Sequence, residues 1–149
     1  MMNPVDFFTV VVVGLYAGSL LTEGMVLVPY WRSMEPENFF RLHGQFGPRL
    51  FRYFAPLTIA AVALPIIAAA RGFFAPSGHN FWAWLSAGLL LIALAIFFFY
   101  FRAANLRFAE RSLSDDALKT ELSRWSRFHT FRTILAIAAF AAYALATAS

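Results

Sequence analysis

The way apolar residues are bunched along the chain is the strongest constraint on its fold. Four runs, roughly 7–31, 50–70, 81–101 and 130–147, each approach the ~20 residues a helix needs to cross about 30 Å of hydrocarbon. Stretches such as "VVVVGLY" and "LLLIALAIFFFYF" do not alternate apolar with polar residues, which argues against a transmembrane barrel. The expected fold is therefore all-α: a four-transmembrane-helix bundle with helices over roughly 5–31, 49–71, 80–112 and 116–147, in a single domain spanning 1–149. A hydrophobic share of 60% and a mean hydropathy of +0.64 lie well above those of a soluble domain. With no cysteine, the chain has no disulfide, thiolate metal site or thiol nucleophile.

Charge supplies a topology. Of the twelve Lys/Arg residues, Arg32, Arg41, Arg49 and Arg52 follow the first run, and Arg102, Arg107, Arg111, Lys119, Arg124, Arg127 and Arg132 surround the connection between the third and fourth, leaving only Arg71 on the other side. The positive-inside rule places the basic connections in the cytoplasm and both termini outside, as in a bacterial inner-membrane protein. A net charge of +4 then needs no nucleic-acid partner, although membrane lipid with anionic headgroups suits the basic face. The start "MMNPVDFF" lacks a basic n-region, so the first helix is expected to be retained.

Local signals divide the rest. Gly14 and Gly18 form a small-residue pair that admits a close neighbour. "SMEPENFFRLHGQFGP" reads as a short amphipathic cytoplasmic helix between helices one and two, with Pro36 in its first turn, Gly44 at its end and Phe39 and Phe40 in the interface. Pro48 is expected to open helix two, and Pro56 and Pro65 to kink it. His79 stands alone in an external loop, and Ser114, Asp115 and Asp116 supply the start of helix four.

Several polar residues do not belong in such a setting. Leu118, Leu122, Trp125, His129, Arg132, Ala136, Ala139 and Tyr143 recur at alternating spacings of four and three, the seam a helix turns toward its neighbours. That puts His129 and Arg132 on the inward face. Glu23 lies within an apolar run about 12 Å before Trp31, where a carboxylate costs on the order of 2.5–3.5 kcal/mol and must be paired, protonated or turned inward. Tyr16, Ser19, Glu23, Leu27 and Tyr30 form one mixed face. Arg132 and His129 are its natural partners, and Asn105, Arg102 and His43 can join from the same end. The arrangement reads either as an ion pair fixing helices one and four, or as a polar pocket lined by Trp125, Tyr30 and phenylalanines and suited to an apolar aromatic ligand.

These residues also carry a resemblance. A glutamate inside helix one, "FRYFAPLTIAA" opening helix two, "AANLRFAE" after helix three and "RWSRFHTFRT" entering helix four make the chain similar to the anthrone oxygenase-like family of small four-helix membrane proteins. The most specific element is Asn105 followed about twenty residues later by W-x-x-x-H-x-x-R, here Trp125, His129 and Arg132; Ala103-Ala104 stands where the family often has Pro-Thr. The resemblance implies oxidation of anthrones to anthraquinones by dioxygen without an established cofactor. Glu23 or His129 would be the base, and Arg132 with Asn105 would stabilise the oxyanion. Trp125, Tyr30, Tyr16, Arg102 and His43 would then surround the substrate. Burial and the Arg132 charge act on Glu23 in opposite senses, so either group can be the base.

Three functions compete at this point. One is an oxygenase or oxidoreductase acting on a lipophilic aromatic or quinone-like molecule, with no metal. The second is a non-catalytic accessory or scaffold subunit in a homo-oligomer or larger membrane complex. The third is a haem or metal protein using His43 and His129, which have no local ligand motif. A transporter fits poorly, since no inverted repeat is visible.

Overall fold

The computed structural model describes residues 3–71 and 80–148, so His79 lies outside the described residues. Four helices account for nearly all of it: α1 (Pro4–Ser33), α2 (Pro36–Arg71), α3 (Phe81–Ala109) and α4 (Asp115–Ala148), each long and apolar enough to cross a membrane. Phe7, Leu15, Met25, Phe51, Ile59 and Phe99 are among many large apolar side chains on the outside. A water-soluble monomer rarely exposes so much contiguous apolar surface.

Sequence neighbours pack against each other, and α4 closes the ring by lying against both α3 and α1. Every member of the expected α4 seam, from Leu118 to Tyr143, is buried. The core forms three layers. Ala69, Ala83, Tyr143 and Ala146 fill the end away from the basic connections. Val13, Tyr16, Leu20, Leu90, Ala136 and Ala139 fill the middle, and Val28, Phe39, Phe101, Phe108 and Trp125 are among those at the basic end.

Local chemistry explains the helix ends. Asn3 caps α1 by accepting from the Val5 amide at 3.0 Å, ahead of Pro4 in the first turn. Ser114 Oγ accepts from the Ala117 amide at 3.4 Å as α4 begins. Between α3 and α4, Arg111 adopts a left-handed φ of 51°, a conformation usually left to glycine, while its guanidinium reaches Glu37 at 3.0 Å. Arg107 and Tyr100 both bond Glu121 Oε1 at 2.8 Å, tying α3 to α4 at the same end.

Two features depart from the sequence expectation. The segment after Pro36 is helical but is no separate amphipathic helix, because it runs unbroken through Gly44 and Pro48 into α2. Losing the proline's amide removes one backbone bond, while burial of Phe39 and Phe40 in the basic-end layer holds the segment in line. Secondly, α1 and α3 each contain one widened π turn, Glu23–Leu27 and Phe97–Phe101. In α1 the cause is legible: Pro29 has no amide and its ring crowds the carbonyl four residues back, which a wider turn just before it relieves.

Candidate functional site

Between the middle and basic-end layers the apolar core is interrupted. Glu23, His129, Arg132 and Thr133 are all buried there, contributed by α1 and α4. Glu23 Oε2 lies 3.7 Å from His129 Nδ1 and 3.9 Å from Arg132 Nη2. These are ion-pair distances, too long for hydrogen bonds. Glu23 Oε2, His129 Nδ1 and Arg132 Nε have no hydrogen-bonding partner among the described residues. A buried group left so costs on the order of 1–3 kcal/mol, and three converging on one spot ask for an explanation beyond packing.

The π turn sets the geometry. Glu23 opens it, and the Leu20 carbonyl on the preceding turn meets His129 Nε2 at 2.9 Å. A carbonyl only accepts, so Nε2 carries the ring proton and Nδ1 faces Glu23. Attraction between Nδ1 and Oε2 then requires one more proton shared by the pair. Gly24 allows the approach, because a Cβ there would sit 3.1 Å from His129 Cδ2 and 3.2 Å from Nε2. Any other residue would require the imidazole to shift by a few tenths of an ångström.

Aromatic walls fix the remaining degrees of freedom. Trp125 stacks on the His129 ring with centroids 4.9 Å apart and planes at 8°. Its indole Nε1 donates to Asn105 Oδ1 at 3.0 Å, which locks the tryptophan to α3. Phe101, at the end of the π turn of α3, lies 4.5 Å beneath the Arg132 guanidinium. A desolvated cation over a ring gains about 2 kcal/mol, which offsets part of the cost of burying Arg132.

A groove of about 720 Å³ runs along the outside of α1 from Val10 to Leu27, with Tyr53 and Phe54 of α2 on one side and Phe140 of α4 on the other. It opens sideways between helices and reaches Glu23. His129, Arg132 and Trp125 do not line it, so Glu23 is the wall between groove and buried pair. The two glycines of α1 differ in use: a Cβ on Gly14 would meet Phe140 at 3.0 Å, whereas one on Gly18 would meet nothing within 4 Å. Gly14 seats a neighbour, and Gly18 leaves the groove floor bare.

The structure thus brings Glu23, His129 and Arg132 together, with Trp125 and Asn105 behind them. Asn105 accepts the Trp125 indole N–H on its carbonyl and so positions the tryptophan. Tyr16 is buried in the middle layer, away from the basic-end aromatics. Tyr30 is 56% exposed, because the extra residue of the π turn advances the helix register by about 100° and turns Val28 and Trp31 inward in place of Leu27 and Tyr30. Arg102 also points out, beside the buried Phe101. His43 packs its ring against Phe39 and Phe108, with centroids 5.6 and 5.5 Å away, and takes no part in the Glu23 cluster. Sequence reasoning missed Gly24, Phe101 and Tyr53; the one available signal was Pro29 following Glu23-Gly24 so closely.

The donor set fits a haem or metal poorly. His129 commits Nε2 to Leu20, His43 sits among phenylalanines, and among the described residues no three of His, Asp or Glu converge on a common point. What the cluster can do chemically is hold and move a proton at Glu23, beside a fixed positive charge. Comparison with known protein families, curated proteins and solved structures returns no match.

Proposed function

We propose that the protein is an integral membrane protein that takes a lipophilic aromatic or quinone-like molecule from the bilayer into the α1–α2 groove and uses Glu23 as its acid–base group. The observation that carries this reading is the placement of Glu23, a buried carboxylate that belongs both to an open apolar groove and to a cluster of unpartnered polar atoms. The basic end faces the cytoplasm in this reading, as the distribution of Lys and Arg favours.

The resemblance to anthrone oxygenases suggests the reaction. Glu23 removes a proton from a methylene flanked by two aryl rings, and the electron pair moves onto the conjugated carbonyl oxygen. His129 can take up that proton through Nδ1, and the charge of Arg132 favours the anion formed nearby. Dioxygen is the oxidant: it bonds to the carbanion carbon, its O–O bond breaks, and water leaves. Anthrone and dioxygen give anthraquinone and water, with no other reductant or oxidant required. The test is air oxidation of anthrone by the purified protein in detergent, followed by quinone absorbance. The expected result is turnover above that of empty micelles; a rate equal to the micelle blank would overturn the oxygenase assignment.

A second reading, an accessory subunit in which the cluster only fixes α1 to α4, draws support from the His129–Leu20 bond, which is buried and joins those two helices directly. It expects no ligand in the groove.

A further inference from the structure

We propose that the hydroxyls of Ser19 and Tyr53 form a second polar anchor in the groove, which selects ligands bearing an O–H group about one helical turn from the atom that meets Glu23. This rests on the groove reading above and names the class of molecule it takes.

Ser19 and Tyr53 both line the groove, and their oxygens lie 2.7 Å apart, joining α1 to α2. Ser19 Oγ is also 2.7 Å from the Leu15 carbonyl, and a serine hydroxyl has one proton to give. That proton goes to the carbonyl, so Tyr53 donates to Ser19. The Tyr53 oxygen is left with free lone pairs and no proton to offer. Tyr53 is 53% exposed, on a helix long and apolar enough to cross a membrane. A bare acceptor in that setting gains from any donor that reaches it. Thr22, the other hydroxyl on the wall, already donates to the Gly18 carbonyl at 2.9 Å.

Spacing and shape complete the description. Ser19 and Glu23 are four residues apart, a rise of about 6 Å on one face of the helix. Gly18, with nothing within 4 Å of its missing Cβ, supplies a flat floor at the level of the anchor. The groove therefore suits a flat, lipophilic, hydroxylated ring system, its O–H donated to Tyr53 and a second polar or reacting atom held at Glu23. Phenols fused to further rings engage both points; unsubstituted hydrocarbons and simple quinones reach Glu23 without the Tyr53 bond and bind less tightly.

The experiment compares 2-hydroxyanthraquinone with anthraquinone by equilibrium dialysis against the protein in nanodiscs, correcting for partition into empty discs. Wild type is expected to favour the hydroxylated ligand by about 2- to 10-fold, the worth of one hydrogen bond. Tyr53→Phe should lose that preference while keeping its affinity for anthraquinone. Equal affinities in wild type, with both ligands excluded by Gly18→Leu, would overturn the anchor and leave the groove standing. A preference that survives Tyr53→Phe would overturn it as well. No binding of either ligand above the empty-disc level would overturn both the anchor and the groove reading.

Discussion

Glu23→Gln is expected to cut anthrone turnover by about 10²- to 10⁴-fold, the usual worth of a positioned acid–base group, while the folded protein is retained. Glutamine keeps the shape of the side chain. Its amide nitrogen can donate to His129 Nδ1 and its oxygen can accept from Arg132, the two groups now 3.7 and 3.9 Å from Glu23 Oε2. Packing is thereby preserved, while the ability to accept a proton and the negative charge opposite Arg132 are lost. Quinone formation and thermal unfolding measured on the same preparation separate the two effects. Unchanged turnover in Glu23→Gln would remove Glu23 from the reaction.

The larger structural effect belongs to Glu23→Ala, which should destabilise the protein by about 3–5 kcal/mol. Arginine cannot shed its proton, so removing the carboxylate leaves a buried cation resting on the Phe101 ring with no countercharge at Glu23. That contact returns about 2 kcal/mol, less than the loss. Deleting the cation as well should therefore recover part of the stability. In a thermal-unfolding cycle of Glu23→Ala, Arg132→Met and the double variant, a coupling of about 0.5–3 kcal/mol is expected. Additive effects would mean that the 3.9 Å approach carries no energy.

What could be read from the sequence follows from which signals are periodic. The α4 seam was legible over its whole length, because a straight, regular helix keeps its 3.6-residue register and every inward position recurs on schedule. Glu23 was legible as an energetic anomaly, since a carboxylate in a lipid-facing run is too costly to leave unpartnered. Tyr30 was misplaced because a single extra residue in the π turn breaks the periodicity on which such an argument depends. Gly44 and Pro48 resembled a stop and a start, yet a helix continues through such punctuation when its flanks are buried, as Phe39 and Phe40 are.

The groove itself was out of reach for a different reason. Its polar anchor joins residues 34 positions apart, and the role of Gly24 depends on a ring contributed by another helix. Neither is a local pattern. Both arise from how α1 meets its neighbours, which the sequence constrains only through packing.

The most direct test of lipid-side access to Glu23 is labelling with dicyclohexylcarbodiimide, an apolar reagent that reaches carboxyl groups from the membrane phase and reacts with their protonated form. The protein in nanodiscs would be treated and the modified residue located by peptide mass spectrometry. Modification is expected at Glu23, slowed by bound 2-hydroxyanthraquinone and blocked by Gly18→Leu, whose side chain enters the groove from a position where a Cβ meets nothing within 4 Å. An unmodified Glu23, or one labelled equally fast in Gly18→Leu, would rule out access to Glu23 through the groove.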